Sequence, residues 1–125
     1  MFADHHPKFH YASMKNAWAG IYAALQSQRN FRLEVLLGTF AILAALFLEF
    51  TTTKMIIVFG TVFLVLTFEL INTAIEEVLD FIHPEEHPKI KLAKDLSAGA
   101  MLMVVILSVL VGLYLFLPVI VDRFF

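Results

Sequence analysis

Hydrophobic and polar positions divide the 125-residue chain into one amphipathic stretch and three long apolar ones. Between residues 8 and 28, Met14, Trp18, Ile21, Tyr22 and Leu25 recur at i, i+4, i+7, i+8 and i+11, which is the period of one helical face. Lys15, Gln26 and Ser27 fall on other sides. The stretch is only moderately apolar and carries Trp and Tyr, residues suited to the headgroup zone, so an interfacial helix lying on a membrane is expected. Arg29 and Arg32 then open an apolar run over residues 33–50, and ~20 residues at ~1.5 Å each cover a bilayer core. The short connection Thr51-Thr52-Thr53-Lys54 makes this span antiparallel to the next, residues 55–82. Pro84 and Pro88 are expected to end that second helix, and the charge-dense linker HPEEHPKIKLAK must be aqueous. A third span is expected over residues 96–121. It opens with the small residues Ser97, Ala98, Gly99 and Ala100 and carries Ser108 and Gly112 at a spacing that lets membrane helices approach closely.

The second helix departs from a simple span. Its apolar part ends at Phe68, ~21 Å along the axis from Met55, and then Glu69, Asn72, Glu76, Glu77 and Asp80 follow without a helix breaker. At ~100° per residue, Glu69, Asn72, Glu76 and Asp80 share a stripe roughly 80° wide. Carboxylates near hydrocarbon are costly and by default mark a functional site facing protein or a wet cavity. Glu76 lies ~10 Å beyond Glu69, so Glu69 is expected just inside the hydrocarbon boundary and Glu76 at headgroup level or in water. Glu34, one turn into the first span, and Glu49 near its far end are expected to reach the interface.

Composition agrees with this reading. At 60% hydrophobic residues and a mean hydropathy of +0.82, the chain is too apolar for a soluble domain and reads as a small integral membrane protein. The absence of cysteine excludes disulfides, thiolate metal sites and Cys nucleophiles. No charged start, apolar centre and small-residue cleavage site mark a signal peptide, so the apolar segments are read as retained spans. The net charge of −2 matters less than its distribution. Lys8, Lys15, Arg29 and Arg32 precede the first span and Lys89, Lys91 and Lys94 occupy the second connection, against Lys54 and Arg123 on the other side. By the positive-inside rule the amino terminus and second loop are cytoplasmic. One pair of spans cannot cover an acidic stripe, so a homo-oligomer is expected. His5, His6 and His10 read as part of a solvated tail, and His83 and His87 are separated by Pro84 in a way that disfavours a shared metal.

Carboxylates seven residues apart that reach water suit two tasks. Hard cations such as Mg²⁺ take carboxylate oxygens and share them with substrate phosphates, and a carboxylate near hydrocarbon is a suitable general base. With Lys94 to meet phosphate charge, these are the parts of a phosphoryl transfer. The spacing alone equally fits an ion pathway, a structural network or a solvated helix extension. Glycines stand only at positions 20, 38, 60, 99 and 112, so no P-loop or glycine-rich kinase loop is present.

The segment ELINTAIEEVLDFIHPEEHPKIKLAKDLSAGA, residues 69–100, resembles the signature of the prokaryotic diacylglycerol kinase family of small three-span lipid kinases. The likeness covers nearly the whole chain, including Trp18, Gly20 and the entry Arg29-Asn30-Phe31-Arg32. It implies an all-α membrane fold of three spans plus an interfacial helix, assembled as a homotrimer with sites between subunits in the bacterial inner membrane. It implies transfer of the γ-phosphate of MgATP to a membrane lipid alcohol, with ATP, lipid and membrane as partners and no nucleic acid. Glu69 is then the base, with Asn72 and Asp95 beside it in the catalytic set. Glu76 holds the Mg²⁺ of ATP, while Glu85, Glu86, His87, Lys94 and Asp95 match nucleotide-contacting positions. Gln28 corresponds to a second metal-binding glutamate of many members. An amide there brings no negative charge, so metal binding leans on Glu76, the ATP phosphates and Glu77. Asn16 replaces an aromatic nucleotide contact of some relatives. Within the family, Asn72-Thr73-Ala74-Ile75-Glu76 and Ala98-Gly99-Ala100 look more like the undecaprenol kinase branch than the diacylglycerol kinase branch. The rival from another class is a small oligomeric cation channel or transporter using the acidic stripe, for which the apolar residues 55–68 offer no polar route.

Overall fold

The computed structural model describes residues 7–125, with side chains from residue 12 onward, so the reading of His5, His6 and His10 lies outside the described side chains. Four helices follow in order: α1 (Pro7–Ser27), α2 (Arg29–Phe47), α3 (Thr52–Ile82) and α4 (Pro88–Phe124). The last three have the length and hydropathy to cross a membrane. The protein is all-α and built for multiple membrane passes. At ~1.5 Å per residue the 31 residues of α3 and 37 of α4 exceed a ~30 Å hydrocarbon core, so both extend beyond it.

A single extended residue, Gln28 (φ −103°, ψ 112°), separates α1 from α2. Arg32 reaches back to hold the end of α1, its guanidinium donating to the carbonyls of Leu25 (3.0 Å) and Gln26 (2.8 Å). These carbonyls are among those a helix end leaves without partners.

α2 ends at Phe47, earlier than the apolar pattern implied, because the chain closes it with a Schellman turn. Phe50 N–H donates to the Ala45 carbonyl and Glu49 N–H to that of Leu46, each at 3.0 Å, with Glu49 at φ 56° in the left-handed region. Thr51 then caps α3, its hydroxyl accepting from Lys54 N–H. Thr52, Thr53 and Lys54 are therefore helical rather than connecting.

The second connection is also shorter than expected. α3 stops at Ile82, but Pro88 opens α4 instead of terminating a helix. A first-turn proline has the right φ and lacks only an N–H that would go unused. His87 is the N-cap, its Nδ1 accepting from Lys89 N–H at 3.1 Å. Lys89, Lys91 and Lys94 thus stand on a helix that extends the third span toward the loop.

α3 is central, packing on α4 and α2, while α1 leans chiefly on α2. Gly38 of α2 is a point of close approach to α3. A Cβ built there would stand 2.6 Å from Cγ1 of Val62 on α3. Gly99 and Gly112 of α4 have nothing within 4 Å of such an atom, so these two glycines are not points of close approach within one chain. Ala45, Val58 and Leu115 form the buried core, with the rings of Phe50 and Phe116 beside it, tilted at 47° with centroids 4.7 Å apart. This core sits at the end of the bundle where α2 turns into α3. There Arg123 near the end of α4 donates to the Phe47 carbonyl and lies over the Phe47 ring. Elsewhere large apolar side chains such as Leu36, Phe40, Leu43 and Phe63 are exposed. Such a surface requires lipid or further protein around it.

Candidate active site

The polar stripe lies at the opposite end from this core. Glu69 is buried at 4% exposure, Asn72 is half-buried, and Glu76 and Asp80 are exposed. Helical periodicity gives them a common face, and α4 bonds to two of them. Ser97 Oγ donates to Asn72 Oδ1 at 2.7 Å, and Lys94 forms an ion pair with Asp80. These are two rungs of an antiparallel ladder. Glu76 stands between them without a hydrogen bond or ion pair among the described residues, within electrostatic reach of both Lys94 and Glu69. An exposed carboxylate near an ammonium group is suited to an ion or a phosphate-bound metal.

Glu34 belongs to the same end of the bundle. It lies within electrostatic reach of Glu69 across the α2–α3 contact, and its Oε2 is shielded without a hydrogen-bond partner among the described residues. Its side chain faces the bundle. Helical spacing is the reason: Glu34, Gly38, Ala41 and Ala45 share one side of α2, and two of these, Gly38 and Ala45, are buried. Glu34 also lines a cavity of about 240 Å³ between α2, α3 and α4, whose other walls include Val62, Val65, Val105 and Gly112. Thr61 and Ser108 reach this cavity too, but their hydroxyls donate to Ile57 and Val105 carbonyls of their own helices.

A second cavity, of about 550 Å³, opens beside the loop and is bordered by Asp80, Glu85, Glu86, His87, Lys91 and Lys94. The expected loop residues and Lys94 thus share one wall system with the outer end of the stripe. Asp95 does not border this cavity itself but pairs at 2.6 Å with Lys91, which does; it stands about 100° around the helix from Lys94. His83 and His87 lie 5.4 Å apart ring to ring. Each has its Nδ1 engaged, His83 with the Glu85 carbonyl at 2.9 Å and His87 with Lys89 N–H.

Gln28 is half-buried at the α1–α2 junction, and its side chain makes no capping bond. It lies between helices, not on α1 as the reading of its position implied. Among the described residues no three His, Asp or Glu side chains converge into a complete metal cage. A divalent ion carried by substrate phosphates needs only one or two protein carboxylates, and Glu76, exposed on the stripe, is one available oxygen donor.

A family profile described as prokaryotic diacylglycerol kinase matches residues 15–116. The chain belongs to the prokaryotic diacylglycerol kinase family. It is 40% identical over 107 residues to a diacylglycerol kinase of Synechocystis, covering 85% of this chain and 61% of that protein. It is 32% identical over 108 residues to an undecaprenol kinase of Bacillus subtilis, covering 86% and 88%. A diacylglycerol kinase of Escherichia coli K12 is 32% identical over 94 residues, or 75% and 77% of the two chains. The chain therefore spans less than two thirds of the cyanobacterial relative and most of the other two. The matched region contains the whole stripe, the loop cavity, Glu34 and Ser97.

In the sequence Ser97 reads only as a small residue and Glu34 only as a residue near the interface. The spacing of Glu34 with Gly38 and Ala45 was a usable signal for the second. For Ser97 no signal exists within its own helix, since its partner lies 25 residues away.

Proposed function

We propose that this chain is a membrane lipid kinase that transfers the γ-phosphoryl group of MgATP to the hydroxyl of a lipid alcohol, undecaprenol or diacylglycerol. The observation that carries the reading is the contrast in exposure along one helix face, with Glu69 buried at 4% and Glu76 two turns away in the open. A lipid hydroxyl is confined to the membrane boundary, whereas nucleotide arrives from water. Two identical side chains at different depths suit these two substrates.

In this reading the lipid oxygen attacks Pγ, the bond from Pγ to the β,γ-bridging oxygen breaks, and the hydroxyl proton passes to Glu69. ADP and the phosphorylated lipid result. Glu69 binds that proton at a site from which the bundle excludes most water. Lys94 supplies positive charge beside Glu76, and the cavity bordered by Glu85, Glu86 and His87 receives the nucleotide. Glu76, with Gln28 as a neutral oxygen donor, would hold Mg²⁺, which when bound offsets phosphate charge. Much of the apolar helix surface is uncovered in one chain, which supports a homo-oligomer, and the family resemblance favours a trimer. The excess of Lys and Arg on the stripe's side supports a cytoplasmic site in a bacterial inner membrane. A channel is less well supported, because Thr61 and Ser108 in the intramembrane cavity are bonded to their own helices and leave Glu34 as its one uncommitted polar side chain.

Purified protein in mixed micelles, given γ-labelled ATP with undecaprenol or diacylglycerol, tests the proposal. Label should appear in at least one lipid, and the ratio of rates assigns the acceptor. Absence of label from both lipids, with cation flux in vesicles, would favour the channel.

A further inference from the structure

Asn72 lies between the buried and exposed carboxylates of the stripe. Its amide has two unlike edges: an oxygen that only accepts hydrogen bonds and an NH₂ that only donates them. Which edge faces the reacting groups matters, because Glu69, Glu76 and the oxygens of a phosphoryl group are all acceptors. A carbonyl edge turned toward them would be repelled and an amino edge attracted.

We propose that Ser97 is a positioning residue that sets this choice. Its hydroxyl crosses from α4 to α3 and donates to Asn72 Oδ1 at 2.7 Å in a half-buried setting. The amide plane then carries Nδ2 on the edge away from Ser97, where it makes no other hydrogen bond among the described residues. Both N–H groups remain available to the lipid oxygen or the transferring phosphoryl oxygens. Ser97 itself touches neither substrate and acts through Asn72. Lys94, three residues earlier on α4, is tied to Asp80, so the two rungs align α4 with α3 while only the Ser97 rung orients a group beside Glu69. The inference rests on the kinase reading and on Asn72 as part of its catalytic set.

The test compares Ser97→Ala, Ser97→Thr, Ser97→Cys, Asn72→Ala and the Ser97→Ala/Asn72→Ala pair in the full chain, with kcat and KM for MgATP measured separately. Losing one hydrogen bond that orients a reacting group should lower kcat about tenfold in Ser97→Ala, with KM for MgATP within about twofold. Ser97→Thr keeps the hydroxyl and should recover kcat to within about threefold, while Ser97→Cys, with its weak S–H donor, should fall between Ala and Thr. On top of Asn72→Ala, removal of Ser97 should cost less than about twofold further. Wild-type kcat in Ser97→Ala beside an inactive Asn72→Ala would overturn the inference and leave the kinase reading standing. Full additivity of the two losses, or equal kcat in Ser97→Cys and wild type, would also overturn it. Undiminished turnover in Asn72→Ala would instead remove Asn72 from the catalytic set, and this inference with it.

Discussion

Adding one methyl group at Gly38 should force α2 and α3 apart. The new Cβ would meet Val62 Cγ1 at 2.6 Å and Cγ2 at 3.5 Å, whereas carbon atoms pack best at about 3.5–4.0 Å. Val62 has little freedom to yield, since valine in a helix holds one χ1 rotamer about 90% of the time. The helices must therefore separate by roughly 1 Å, and overpacking of this kind costs about 1–3 kcal/mol. Separation at this point also moves Glu34 from Glu69, so activity should fall with stability. Reversible unfolding of Gly38→Ala in micelles, followed by circular dichroism against added SDS, measures the cost. Val62→Ala in the same chain removes the clashing methyls, so the double variant should be more stable than the sum of the single effects by about 1 kcal/mol or more. Because alanine also gains about 1 kcal/mol of helix propensity over glycine, the pair decides: additive effects of Gly38→Ala and Val62→Ala would refute the close approach.

Three further outcomes follow from other parts of the molecule. Glu49→Gly should stabilise the protein by about 1 kcal/mol in the same unfolding assay, because glycine adopts the left-handed C′ position without the side-chain penalty; no gain would contradict the Schellman turn. Gln28→Glu should lower the Mg²⁺ concentration for half-maximal activity several-fold by adding a charged oxygen donor, and an unchanged Mg²⁺ dependence would remove Gln28 from the metal site. Arg32→Lys loses the forked guanidinium that reaches the Leu25 and Gln26 carbonyls, so amide exchange near the end of α1 should quicken; equal exchange would show that these bonds do not anchor α1.

The spans and the stripe were legible because both are properties of one helix at a time. Residues 55–82 carry an apolar run and a polar face that require no knowledge of neighbours, and the helix observed over Thr52–Ile82 contains both. The family motif named the chemistry that the spacing alone left open. Contacts between helices were less legible. Gly38 against Val62 and Ser97 against Asn72 depend on which faces meet, and periodicity within a helix leaves the pairing undetermined. Local turns were misread where unusual residues serve ordinary ends: Glu49 occupies a position that glycine usually takes, and His87 caps α4 in place of Ser, Thr, Asp or Asn. Pro88 was ambiguous, since proline can follow one helix or open the next.

In the proposed reaction, depth divides the work of two glutamates on α3. Glu69→Gln and Glu76→Gln, each measured for MgATP binding and for lipid phosphorylation, separate the two roles. Glu69→Gln should abolish turnover while MgATP binds as in the wild type, and Glu76→Gln should weaken MgATP binding as well as turnover. Retained phosphorylation in Glu69→Gln, or unaltered MgATP affinity in Glu76→Gln, would contradict that division.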